Sequence, residues 1–191
     1  MFLFDHTCRG DATISATYER ELKAILGGDA KTLAGLVKTL EPEARVAYES
    51  SVQSPFLVVR AAGSLGADLV ALRHDLGFLI EVKSSKGDLL HFTDSARLVE
   101  QINVIRDQCE RSGVLPIYAY RLKSVRGDAW RLFTLPEMQI TGRTGLLYQR
   151  LPKIEKTPKG NLVLRWKNGL PLAHFLAYVK AAPAKPIVVT A

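Results

Sequence analysis

Cysteine is scarce in this chain: Cys8 and Cys109 are its two copies, far apart and outside any CxxC pair. That excludes a disulfide framework and a cysteine-built zinc site, and it fits a reducing, intracellular setting. Long apolar runs are missing too. The opening Met1-Phe2-Leu3-Phe4 is interrupted by Asp5, His6 and Arg9, and no later stretch approaches the roughly 20 apolar residues of a membrane span. The expectation is a soluble, unsecreted protein with no membrane partner. Internal repeats and long low-complexity tracts are absent, which argues against a solenoid. The histidines at positions 6, 74, 91 and 174 have no metal-ligand spacing, so each reads as a surface or packing residue rather than a general base.

What is present is a chain of 191 residues, 47% hydrophobic, with a formal charge of +7. Length and composition predict one domain with a full core over residues 1–180 and a loose, proline-containing tail at 181–191. The charge is uneven. Residues 141–191 carry nine Lys and Arg against the single acid Glu155, leaving the first 140 residues near neutral. Such a basic C-terminal extension suits an arm lying along phosphates, because each Lys or Arg near a phosphate releases a condensed counterion; a merely solvated surface is the plainer alternative.

Hydrophobic spacing orders the elements. Ile14, Tyr18, Leu22 and Ile25 predict an amphipathic helix over 12–26, stopped by Gly27-Gly28. A second helical pattern (Leu33, Leu36, Val37, Leu40) and a polar, serine-rich stretch at 49–54 form an insertion. Three β-rich runs follow, Phe56 to Arg60, Asp68 to Leu72 and Gly77 to Lys83, predicting an antiparallel meander with a hairpin loop at Arg73-His74-Asp75-Leu76. Thr93 or Asp94 can cap a helix with the stripe Leu98, Ile102, Ile105 and Cys109, ending at Gly113. Strands are expected at Val114 to Arg121 and Ala129 to Phe133. Beyond Pro136 the pattern weakens, although Leu162 to Trp166 suits a strand and Leu172 to Val179 a helix. The fold class is therefore α/β, a central mixed sheet flanked by helices.

The informative stretch runs from Gly63-Ser64 through Asp68 to Ile80-Glu81-Val82-Lys83. Side chains two apart share a face of a strand, so Glu81 and Lys83 stand together while Val82 points to the opposite layer. Phe78-Leu79-Ile80 is apolar without alternation, as in a strand covered on both sides. If the hairpin brings Asp68 beside Glu81, two hard oxygen donors are offered to Mg²⁺ or Mn²⁺, which the Val82 carbonyl could join. Glu19, on the first helix, is the natural third carboxylate. A phosphodiester repels nucleophiles, so a bound divalent ion neutralises charge and activates water. Lys83 could orient the attacking water or stabilise charge on the phosphate. Ser64 could hydrogen-bond a phosphate oxygen or a metal-bound water.

This set resembles the PD-(D/E)xK nuclease core, with its restriction-endonuclease-like fold, and more narrowly the archaeal-type Holliday junction resolvases. The resemblance rests on Tyr18-Glu19-Arg20-Glu21-Leu22, Val59-Arg60-Ala61-Ala62-Gly63-Ser64, Asp68-Leu69-Val70-Ala71 and Ile80-Glu81-Val82-Lys83, and continues through Arg97 to Pro116 and the segment from Gly160 to Leu172. It implies a homodimeric, Mg²⁺-dependent endonuclease, with Mn²⁺ as substitute, that nicks two opposed strands of a four-way DNA junction. The catalytic positions it implies are Glu19, Ser64, Asp68, Glu81 and Lys83, with Glu19, Asp68, Glu81 and Val82 at the metal. Candidate DNA contacts are Arg60, Lys86, Lys153, Lys156 and Lys159. The family passes directly from first helix to first strand, whereas this chain inserts residues 27–54. Two other readings stand beside this one: a nuclease of the same core acting on linear duplex in repair or restriction, and a non-catalytic DNA-binding module.

Overall fold

The computed structural model describes residues 9–61, 67–92, 96–123, 125–158 and 161–180. Helix α1 (Arg9–Leu26) buries Leu22 and Ile25 of the expected stripe, with Leu26 beside them and Tyr18 half-buried. Gly28 then turns the chain at φ 69°, where a Cβ would come to 2.6 Å from the Ser51 carbonyl oxygen. Glycine alone satisfies both the left-handed backbone and that close approach.

The inserted region is two helices joined by a 3-10 turn at Val37–Thr39. Helix α2 (Ala30–Leu36) starts where the Asp29 carboxylate accepts the Thr32 N–H at 2.7 Å, a side-chain N-cap. Helix α3 (Pro42–Gln53) opens with proline in its first turn, where the missing N–H costs nothing. The polar, serine-rich stretch at 49–54 is largely helical. Ser50 and Ser51 are buried, and their hydroxyls donate to the carbonyls of Ala47 and Tyr48 at 2.6 and 2.7 Å, so burial leaves neither unsatisfied. Leu33, Leu40 and Tyr48 join the main core.

The meander forms as β1 (Leu57–Arg60), β2 (Leu69–Arg73) and β3 (Leu76–Ser85), each antiparallel to the next. After β4 (Leu89–His91), helix α4 (Ala96–Ser112) carries the chain to β5 (Leu115–Leu122), which lies parallel to β3; β6 (Trp130–Phe133) returns antiparallel to β5. Then come α5 (Gly142–Arg150), β7 (Glu155–Lys156), β8 (Leu162–Arg165), a 3-10 turn at Trp166–Asn168, β9 (Leu170–Pro171) and α6 (Leu172–Lys180). The large sheet has the order β1-β2-β3-β5-β6-β9, and β4-β8-β7 form a small second sheet. This is the mixed α/β architecture, a central mixed sheet flanked by helices, that the sequence implies.

Alternation along the strands divides the interior in two. Phe78, Ile80, Val82, Ile117 and Ala119 pack with α1, α3 and α6; Tyr118 and Tyr120 pack on the other face with Ile102, Ile105 and Cys109 of α4 and Leu164 of β8. Burial pushes the Cys109 thiol up to about 11, so it is an inert packing residue. Strand β3 is not covered on both sides as expected: it alternates, with Leu76, Phe78, Ile80 and Val82 buried and Leu79, Glu81 and Lys83 half-buried. The reason lies at the β1–β2 end of that second face, where Leu57, 67% exposed, and its cross-strand partner Leu72 are left uncovered.

The C-terminal third is folded where the structure describes it. Leu147 and Leu151 around α5, and Leu172, Phe175, Leu176 and Val179 of α6, are core residues. Helix α5 escapes sequence reading because two glycines occupy its first four positions. His6, Cys8, the proposed cap at Thr93 or Asp94, and the tail 181–191 lie outside the described residues.

Candidate active site

The site forms where β2 begins and β3 ends. Leu69 pairs with Ile80, so Asp68, one residue earlier, stands across from Glu81 on the same face. Its backbone is fixed on both sides: Asp68 N–H donates to the Ile80 carbonyl at 2.9 Å, and its carbonyl accepts from Ala61 N–H at 2.8 Å. The side chain is fixed as well, Oδ2 accepting the Val82 N–H at 2.7 Å. Glu81 and Lys83, neighbours on one strand face, form an ion pair with Nζ 2.6 Å from Oε1.

Burial is the leading cause that raises the carboxyls of Asp68 and Glu81 above their ordinary range. For Asp68 the Val82 N–H opposes that rise and Glu19 adds to it; for Glu81, Lys83 opposes it and Asp68 and Glu19 add to it. The three carboxylates therefore share one electrostatic neighbourhood. Glu19 enters it from α1, 7% exposed, its Oε2 accepting from Arg60 Nη2 at 2.6 Å. A cluster of desolvated carboxylates around a lysine is the donor chemistry that suits a hard divalent cation. Among the described residues no three His, Cys, Asp or Glu side chains form a group that could hold a metal ion.

The other expected site residues separate. Val82 contributes its N–H to Asp68, while its side chain is buried in the opposite layer. Ser64 and Lys159 lie outside the described residues. Arg60, its side chain 53% exposed, ends β1 beside Glu19. Lys86 is exposed beyond β3 and Lys156 on β7. Lys153 is engaged within the fold: its ammonium donates to the carbonyls of Tyr148 and Leu151, the latter at 2.8 Å, and rests 3.6 Å from the Tyr148 ring centre. Carbonyls at the end of α5 need donors, and this lysine supplies them. Arg165 pairs with Glu155 at 3.0 Å, Lys167 with Asp88 at 3.8 Å, and Arg143 with Asp75.

Sequence reading missed Glu21. Its Oε1 accepts from Arg121 Nε at 3.0 Å and from the indole N–H of buried Trp130 at 2.8 Å, tying α1 to β5 and β6. Tyr18 completes the clamp, edge-on to Trp130 and beneath the Arg121 guanidinium. The two-residue separation of Glu19 and Glu21, roughly 200° around a helix, is the signal that they face different partners.

No protein-family profile and no curated protein matches the chain. Among solved structures it is similar to Hjc, a Holliday junction resolvase from the archaeal hyperthermophile Archaeoglobus fulgidus, at 25% identity over 66% of this chain and 85% of that chain, with a TM-score of 0.43. No helix among the described residues is long and apolar enough to cross a membrane.

Proposed function

We propose that this protein is a Mg²⁺-dependent endonuclease, intracellular and acting as a homodimer, that resolves four-way DNA junctions by paired nicks in opposed strands. The observation that carries the reading is Asp68, locked by the Val82 N–H across from the Glu81–Lys83 pair, with Glu19 close enough to perturb both carboxyls. Asp68, Glu81 and Glu19 are the residues that would hold the ion. Mg²⁺, or Mn²⁺ in its place, supplies neutralisation of phosphate charge and activation of water at neutral pH.

The chain's own groups do the rest. Hydrolysis adds one water across one P–O bond, leaving a phosphomonoester and a hydroxyl. Lys83, held by Glu81, presents an ammonium to the water or to charge growing on the phosphate. Arg60, Lys86 and Lys156 offer exposed cations to neighbouring phosphates. A twofold dimer would present two such sites to a junction of matching symmetry.

The test is cleavage by the purified protein, with Mg²⁺, of a four-way junction, a splayed duplex and a linear duplex. The reading expects paired nicks in the junction, lost in Asp68→Asn and Glu81→Gln while junction binding persists. Preferential, sequence-dependent cutting of the linear duplex would replace junction resolution with a repair or restriction role. Binding without any cleavage by wild type would leave a DNA-binding module.

A further inference from the structure

The inserted helix α3 and the C-terminal helix α5 flank the last turn of α6. Val179 of that turn lines a cleft with Ser50 and Ser51 of α3 on one side, and a groove with Leu146 and Leu147 of α5 on the other. The groove holds about 500 Å³, within the size range of ligand clefts. Its wall is aliphatic and its rim cationic. Leu146 is 64% exposed, and Arg150, four residues later on the same face of α5, lies over the Tyr178 ring at 4.5 Å. At the other end of α5, Arg143 shares the Asp75 carboxylate with Arg73, so two guanidiniums stand around one acid. Helix α5 itself carries no acidic residue.

The solvent ridge of α3 has the opposite character. Glu43, Val46 and Glu49 recur every three residues, which keeps them along one exposed side of the helix. Val46 is 62% exposed. The one cation of α3, Arg45, is tied back to the Val37 carbonyl at 3.2 Å. An aliphatic side chain between two carboxylates thus stands on one flank of α6, and an aliphatic groove rimmed by arginines on the other.

We propose that these two surfaces bind each other between two copies of the chain: Val46 of each copy enters the α5–α6 groove beside the partner's Leu146, and Glu43 and Glu49 meet the arginine rim. This rests on the homodimer of the reading above and gives it a surface. Because ridge and groove lie on either side of α6, a twofold axis over that helix forms both contacts at once and closes the pair. Charge favours this occupant. Each copy carries +7, so two copies repel on average, and a contact that sets acid against arginine offsets the repulsion locally. The acidic ridge beside the groove disfavours phosphate, while the complement the groove requires is already present on the same chain.

The experiment is sedimentation velocity of the full chain over a concentration series, with the fold of each variant checked by circular dichroism. Wild type should be a dimer that weakens as salt rises. Val46→Arg and Leu146→Asp, both at exposed positions, should each weaken the dimer about tenfold or more, because each leaves a desolvated charge unpaired. The double variant should recover most of that loss, since the two new charges then meet. Val46→Lys with Leu146→Glu repeats the exchange should either variant misfold.

Single variants as dimeric as wild type overturn the surface, as does a double variant no tighter than the singles. A dimer that dissociates only in Leu57→Lys overturns it too, moving the contact to the uncovered β1–β2 face. A wild type that stays monomeric throughout removes both the surface and the homodimer. The nuclease reading is judged separately, by Mg²⁺-dependent cleavage that Asp68→Asn abolishes: that result stands or falls whatever the sedimentation shows.

Discussion

Asp68 and Glu81 occupy positions where an ionised carboxylate is costly, because burial raises both carboxyls above their ordinary range. Folding strengthens their hold on protons, so their stabilising contribution is fully present below the unfolded-state carboxylate range and is lost as pH rises through the raised folded values. Asp68→Asn keeps an oxygen for the Val82 N–H and deletes the charge. At pH 7 it should therefore raise the melting temperature by about 2–4 °C, on the order of 1 kcal/mol. Near pH 3, where the wild-type carboxyl is itself protonated, the gain should disappear. A lower melting temperature at pH 7 would mean that the neighbouring cations outweigh burial. Protons also compete with the ion, so Mn²⁺ affinity should fall on acidification with a midpoint above the ordinary carboxylate range. A midpoint inside that range would contradict the burial argument.

Among the elements, α1 matters most to the site, since its position fixes Glu19. Glu21 anchors that helix to β5 and β6 through Arg121 and Trp130. Glu21→Ala would strand an indole N–H and a guanidinium that are both largely enclosed, and should cost about 1–3 kcal/mol of unfolding free energy in denaturant titration. A cost within error of zero would show that water replaces the carboxylate. The α2–α3 insertion is structural as well: Leu33 is buried, and Tyr48 reaches across the fold to donate its hydroxyl to Asp128 at 2.9 Å. Leu33→Ala should destabilise by about 2–5 kcal/mol, with two-state loss of the whole domain. Separate melting of the insertion would show it to be an independent appendage.

Across the whole molecule, the basic surplus is less available than its count suggests. Arg143, Arg165 and Lys167 are paired with acids, Lys153 caps a helix end and Arg150 lies over the Tyr178 ring. Lys86 and Lys156 are exposed. If DNA lies along them, Lys86→Ala and Lys156→Ala should each reduce the slope of log affinity against log salt by about 1. Lys153→Ala should lower stability and leave that slope unchanged. The opposite pattern would place the phosphate contact at Lys153 rather than at Lys86 and Lys156.

Local pattern was enough for the parts of this protein whose physics is local. The stripe of α1, the three strands of the meander and the alternation that puts Glu81 and Lys83 on one face all follow from periodicities of 3.6 and 2 residues. Pairing Asp68 with Glu81 needed only a hairpin short enough to constrain its register. Other features depend on residues meeting from far apart. The serines of α3 are helical because a core covers them, α5 forms despite its glycines because Leu147 has a place to pack, and C-terminal lysines and arginines are spent on acids and carbonyls that no spacing rule connects to them. Glu19 shows the division most plainly. Its helix could be read from the sequence, but its grip on Arg60, 41 residues away, exists only because folding brings β1 beside α1 and buries the carboxylate where it must find a cation.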